Sequence, residues 1–163
     1  MLIEVANYAD AQEILDLQKL SYQSEAALYN DYSIPPLTQS LSQMQNDLQQ
    51  QVVLKATANK TIVGSVRGYL HDGTCYISRL IVHPEFRNRG IGTRLMNTIE
   101  QHFSEAHRYE LFTGTRSERN LYLYQKLGYV AFRTEQQTDK VTIVFLEKPG
   151  QSAKGGSSFM PRV

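Results

Sequence analysis

The sequence predicts an α+β fold, a central mixed and mostly antiparallel sheet of about seven strands flanked by about four helices. Its first half is rich in hairpin signals. Apolar runs at Val52–Ala58, Thr61–Leu70 and Thr74–Val82 are separated by Asn59-Lys60 and Asp72-Gly73, pairs suited to two-residue turns that need positive φ. Beyond Val82 the chain passes His83-Pro84 and a basic, glycine-spaced segment. Ile91, Leu95, Met96, Ile99 and Phe103 then recur at intervals near 3.6 residues, the stripe of an amphipathic helix. The strand Tyr109–Thr113 follows, which makes a βαβ crossover.

In chain order, Leu2–Val5 reads as a short strand. Asp10-x-x-Glu13 reads as a helix start with a reciprocal cap, and Ile14, Leu15, Leu17 and Leu20 give that helix an apolar side. Tyr22 to Leu37 reads as a loop, because Pro35-Pro36 favour extended geometry. A polar helix over Gln39–Gln50 precedes the hairpins. Ser117–Leu127 is a helix stopped by Gly128, a good left-handed cap, and Tyr129–Arg133 and Val141–Leu146 are the last strands. The expected order is β-α-α-β-β-β-α-β-α-β-β. Residues 1–148 are expected to form one domain. Residues 149–163, rich in Gly, Ser and Lys and without periodicity, are expected to be a flexible tail with Phe159-Met160-Pro161 as a docking candidate.

Composition excludes several classes. A net charge of +1 gives no global basic field, so no nucleic-acid partner is expected. No apolar run reaches the roughly 18 residues a membrane span needs, and the N-terminus lacks secretory features. The expectation is a cytoplasmic protein with no membrane partner. Cys75 is the single cysteine, which rules out an intrachain disulfide and a cysteine-based metal site, and no metal is expected. It alternates with Ile77 in a strand and has no evident partner as a nucleophile.

The segment Arg87-Asn-Arg-Gly90-Ile-Gly92-Thr93-Arg94 reads as a phosphate cradle. Gly90 and Gly92 let backbone N–H groups approach phosphate oxygens, and those amides open a helix whose unpaired donors favour anions. Arg87, Arg89 and Arg94 add mobile or fork-shaped cations. The spacing matches neither G-x-G-x-x-G nor G-x-x-x-x-G-K-[ST]. Arg-x-x-Gly-x-Gly after a strand ending Leu-Ile-Val-His-Pro resembles the acetyl-CoA pyrophosphate loop of the GNAT superfamily of N-acetyltransferases. Leu123-Tyr124-Gln-Lys-Leu-Gly128-Tyr129 resembles the family's helix ending Leu-Tyr-x-x-Leu-Gly-Phe/Tyr. The resemblance spans roughly residues 2 to 147.

This resemblance implies a GNAT-like fold, acetyl-CoA as acyl-donor cosubstrate and an amine acceptor. It implies that the amides of Arg87, Arg89, Gly90 and Gly92, with Thr93 nearby, cradle the pyrophosphate. Leu80 and Val82 would pair through their backbone with the pantetheine arm. Tyr124 would be the acid that protonates the departing thiolate, and Tyr122 faces another side of the helix. The chain departs from the family pattern twice. Ser117 stands where an Asn often reaches the pantetheine, with Asn120 as the substitute, and Ser78 stands where many members have a Glu base. The base and the acceptor contacts are therefore sought in the Tyr22–Leu37 segment. There Glu25 and Asp31, with Tyr29 and Tyr32, could hold a cationic amine through charge and ring face. His71 ends a hairpin, and His83 shapes the turn before Pro84.

The expected activity is acetyl transfer to a primary amine of a small molecule, amino acid or peptide. The modest acid content speaks against a polycationic acceptor. The alternatives are a non-catalytic CoA or acyl-CoA sensor, favoured by Ser78 and Ser117, and an acyltransferase using another acyl group or acceptor. A homodimer is compatible with the sequence, which does not fix the oligomeric state.

Overall fold

The computed structural model describes residues 1–151 of the chain. Seven strands form one sheet, β1 (Leu2–Val5), β2 (Val52–Ala58), β3 (Thr61–His71), β4 (Thr74–Val82), β5 (Arg108–Gly114), β6 (Val130–Gln136) and β7 (Thr142–Pro149). The helices are α1 (Ala11–Ser21), α2 (Gln23–Tyr29), α3 (Pro35–Thr38), α4 (Leu41–Gln50), α5 (Ile91–His102) and α6 (Glu118–Lys126). The strand order is β1-β2-β3-β4-β5-β7-β6. Every neighbouring pair is antiparallel except β4 and β5, which run parallel through the α5 crossover.

The two expected hairpin turns form as the residue types dictate. Asn59 and Lys60 have φ of 51° and 65°, and Asp72 and Gly73 have 50° and 80°, the paired positive values of a tight turn that matches strand twist. Alternation then assigns neighbours to opposite faces of the sheet. Leu54 and Val63 join the core under α5, whereas Val53 and Ile62 join the core under α1 and α4. Leu95, Met96 and Ile99 of α5 are fully buried; each contributes about 1.5–3 kcal/mol of apolar burial. Cys75 is buried in the same core, where desolvation, Glu100 and Glu105 push its thiol pKa up to about 12, so it is no nucleophile.

The segment from Tyr22 to Leu37 corrects the expected loop. It holds two helices, α2 and α3. Asn30 closes α2 in the left-handed conformation, at φ 50°. Pro35 and Pro36 begin α3 instead of excluding it, because the first turn of a helix needs no N–H donor. Only Ile34 before them is extended, with φ −60° and ψ 145°. Among the described residues α2 and the four-residue α3 thus join the helices that flank the sheet. The reciprocal cap also lies earlier than expected. Asn7 accepts from Ala9 N and Asp10 accepts from Asn7 N, both at 2.9 Å. Glu13 instead accepts the Ile62 amide at 2.8 Å, which ties α1 to β3.

Two irregularities of β4 position the site. Its ladder with β5 holds only Thr74–Tyr76 against Arg108–Glu110, after which the strands diverge. Its ladder with β3 pairs Ile81 with Ser65 and Ser78 with Arg67, so Arg79 and Leu80 together oppose Val66. Arg79 takes φ 53° in this bulge, a conformation that costs a non-glycine residue of order 1 kcal/mol. β7 ends at Pro149, and the Gly150 amide donates to His107 O at 2.8 Å. The Phe159-Met160-Pro161 candidate lies outside the described residues.

Candidate active site

The divergence of β4 from β5 opens two cavities that meet. One, of about 310 Å³, runs from Leu80–Val82 along the loop before α5 to one face of α6. The other, of about 410 Å³, lies between α2, the bulge of β4, the end of β5 and the start of β7. Tyr22, Glu25, Leu80 and Asn120 line both.

Gly90 and Gly92 line the first cavity, as do Arg87 and Thr93. Gly90 caps α5 with φ 80°, and no side chain bonds to the free amides of the first turn. Asn88 also has positive φ, 64°, so the segment folds into a concave row of amides, a natural anion seat. The arginines behave differently from expectation. Arg87 is anchored, donating to Ser21 O at 3.1 Å and Ser24 Oγ at 3.3 Å. Its burial, with Arg119 nearby, lowers its pKa, while Glu25 opposes the shift. The Arg89 side chain lies over the Phe86 ring at 4.9 Å instead of lining the cavity. Arg94 also lies outside the lining, and two cations from α6 that the sequence reading passed over, Arg119 and Lys126, belong to it. Their spacing of seven, with Leu123 between, was the available signal.

At the junction, Glu25 accepts from Ser117 Oγ at 3.1 Å. Burial raises the Glu25 pKa above the usual carboxylate value; the Ser117 bond, Arg119 and Arg87 oppose the shift. Tyr124 is 6 % exposed and packs on Tyr129 at 6.0 Å between ring centroids. Among the described residues nothing hydrogen-bonds its hydroxyl, and Tyr124 lines the second cavity. Burial, then Tyr22 and Glu25, raise its pKa well above that of an ordinary phenol; the group stays protonated as a donor. Tyr122 is 69 % exposed and lines the first cavity but not the second. Asn120 donates to Thr113 Oγ1 at 3.2 Å, bridging α6 and β5.

The four acceptor candidates separate. Glu25, Tyr29 and the half-buried Asp31 line the second cavity. The Tyr29 ring, however, is built into a cluster with Val141 and Ile143, and its hydroxyl accepts the Arg116 amide at 2.9 Å. Gly114 leaves that space: a Cβ there would sit 1.8 Å from the hydroxyl. Asp31 is held by Ser33 Oγ at 2.6 Å and Ser33 N at 2.9 Å, bonds that lower its pKa. Tyr32 is 54 % exposed and lines neither cavity, so the structure does not bring it to the site. Ser78 lines the second cavity without a carboxylate to offer. His83 Nδ1 accepts the Glu85 amide at 3.1 Å and shapes its turn; His71 is exposed at the β3–β4 hairpin.

The profile of the Acetyltransferase (GNAT) family matches residues 11–129. The chain belongs to the GNAT family of acetyltransferases. Among curated relatives, UPF0157 protein YqkA of Bacillus subtilis is 27 % identical over 119 residues, covering 73 % of this GNAT chain and 34 % of that protein. The N-terminal acetyltransferase B complex catalytic subunit NAA20 of Arabidopsis thaliana is 28 % identical over 75 residues, covering 44 % of this chain and 43 % of that protein. The chain thus spans less than half the length of either. The crystal structure of PaiA N-acetyltransferase from Thermoplasma acidophilum in complex with coenzyme A has the same fold, with TM-score 0.74 and 18 % identity over 91 % of this chain and 99 % of that one. The chain thus has the seven-stranded, unclosed mixed sheet of the GNAT fold. Among the described residues no helix is long and apolar enough to cross a membrane, and no group of three or more His, Cys, Asp or Glu residues could hold a metal.

Proposed function

We propose that this GNAT acetyltransferase is acetyl-CoA-dependent and transfers the acetyl group directly to a primary amine of a small molecule, amino acid or peptide. The reading is carried by the junction, where Glu25 lines both cavities beside the unpartnered Tyr124 hydroxyl. The likeness to an N-terminal acetyltransferase subunit and to a coenzyme A-bound N-acetyltransferase supports it.

When bound, acetyl-CoA supplies the acyl carbon and a thiolate leaving group. The first-turn amides of α5, with Gly90 and Gly92, hold its pyrophosphate, and Arg119 and Lys126 add positive charge. The backbone of Leu80 and Val82, without a β5 partner, faces the pantetheine arm. Glu25 replaces the strand carboxylate that Ser78 lacks. It removes one proton from the acceptor ammonium and releases it to solvent. As the N–C bond forms and the C–S bond breaks, Tyr124 gives its proton to the sulfur, and the second amine proton restores the phenol. Holding the reacting atoms together in one ternary complex supplies the remaining advantage.

Two outcomes test this reading. A Cβ at position 92 would lie 3.4 Å from Leu123, 3.8 Å from Leu80 and 3.9 Å from Val82, so Gly92→Val places its Cβ at ordinary contact distance and its methyl groups in the slot. The variant should fold normally yet lose most of the roughly 2.7 kcal/mol by which coenzyme A at 100 times its Kd stabilises a protein. An undiminished thermal shift removes the assignment of the first cavity. Tyr124→Phe keeps the ring packing and deletes the hydroxyl. It should lower kcat by roughly 10²-fold with coenzyme A affinity intact, whereas Tyr122→Phe should change little. Wild-type turnover in Tyr124→Phe would return the residue to a packing role.

A further inference from the structure

The acceptor cavity has a second charged end. Arg79, in the β4 bulge, lines it alongside Ser78 and Leu80. Nη1 of Arg79 donates to Gln39 Oε1 at 3.0 Å, and among the described residues no carboxylate lies within ion-pair distance of this guanidinium. The local acid is already committed, since Asp47 pairs with Arg67 Nη1 and accepts from Gln39 Nε2 at 2.6 Å. Arg67 itself is 2 % exposed. Desolvation and the neighbouring Arg79 pull its pKa down to about 10 against the pull of Asp47, so the two cations are electrostatically close. Asp47 thus compensates Arg67, and Arg79, which lines both this cavity and a neighbouring groove with Gln39 and Asp47, is left without a carboxylate partner of its own.

A positive wall repels a simple ammonium and attracts an anion. Glu25 supplies the opposite sign at the junction with the first cavity, and Tyr22 lies within the electrostatic reach of both Glu25 and Arg79. The remaining acid, Asp31, is answered by Ser33 and by nearby Lys140. Between the charged ends the wall is apolar, with Leu111, Val141 and Ile143. A strained backbone holds Arg79 there, at φ 53°.

We propose that the acceptor is an aminocarboxylate with an apolar side chain, its amine directed to Glu25 and its carboxylate bound by the Arg79 guanidinium. This rests on the acetyl-transfer reading above, because the amine end is placed by the position of the acyl donor. The acyl chemistry is unchanged: the N–C bond forms, the C–S bond breaks and the carboxylate takes no part. Arg79 is a specificity residue.

The test has a turnover arm and a binding arm, each on the full chain and on Arg79→Gln and Arg79→Lys. Turnover follows thiol release from acetyl-CoA with leucine or phenylalanine against 3-methylbutylamine or 2-phenylethylamine, the same molecules without the carboxylate. Binding follows N-acetyl-leucine against N-acetyl-leucinamide by calorimetry on the coenzyme A complex. The carboxylate compounds should be favoured by at least about tenfold in both arms, as for a charge-assisted bond. Arg79→Gln should abolish the preference, Arg79→Lys should keep part of it, and coenzyme A affinity should hold in both variants as the measure of folding. Turnover of amines and amino acids alike overturns the carboxylate site and leaves acetyl transfer standing. Selective binding of N-acetyl-leucine with no turnover of any acceptor supports the carboxylate site and sinks the transfer reading. Equal or absent binding of the acid and the amide, with no turnover, sinks both.

Discussion

Glu25→Gln should lower kcat by about 10²- to 10⁴-fold, the range general-base catalysis supplies, while acetyl-CoA affinity stays near wild type. The pH profile should change shape as well. The wild-type rate should rise as pH climbs through the elevated Glu25 pKa and then level off, because the base works only when ionised. An alkyl amine is only about one part in a thousand neutral at pH 7, so without a base the residual rate should keep rising past pH 8. The stability effect has the opposite sign. Burial raises the carboxyl pKa in the folded state, so the unfolded chain releases this proton first. Stability is therefore lost as pH rises from the unfolded to the folded pKa and stays lower above it. Gln keeps a partner for Ser117 without the buried charge. Its Tm should match or exceed wild type at pH 7, and any gain should vanish in acid. Unchanged kcat, or a Tm that falls at pH 7, would remove Glu25 as the base.

Asp47→Ala should destabilise the fold by about 3 kcal/mol, the lower end of the cost of stripping one partner from a buried ion pair. The lower end applies because the Asp47 side chain is 23 % exposed, whereas that of Arg67 is 2 % exposed. Arg67 would retain Gln18 Oε1 at 2.9 Å and the Met44 sulfur at 3.4 Å. Its Nε is already buried without a partner. Urea unfolding should show a lower midpoint at unchanged slope. Combining Asp47→Ala with Arg67→Met should recover part of the loss, since the unpaired charge leaves with its partner. A loss under about 1 kcal/mol would show that water reaches Arg67 and replaces the carboxylate.

Period and turn chemistry made the sheet legible. β1, β2 and β4 have the boundaries their alternation gave, because Asn59-Lys60 and Asp72-Gly73 favour one local answer. The turn that opens α5 was legible for a similar reason, since Gly90 needs its positive φ whatever surrounds it. The Tyr22–Leu37 segment was not. Its prolines signal extended backbone and helix starts equally, and burial of Ala26 and Tyr29 against the rest of the molecule decides. The same holds for side-chain roles. Glu25 is distinguished from Asp31 only by burial, and Tyr29 from Tyr32 only by the space that Gly114, far along the chain, leaves open. Arg79 reads from sequence as one more strand residue; only the bulge turns it toward a cavity.

The three-pair ladder between β4 and β5 leaves an unpaired strand edge inside the sheet. At the rim of a sheet, such an edge invites pairing with other chains and is usually blunted by charge or proline. Here the two halves of the sheet flank it like the walls of a trench. In the acetyl-transfer reading proposed above, the slender, amide-bearing arm of the cosubstrate takes this place. An edge set inside the sheet is kept from the rim, where it could template pairing with another chain.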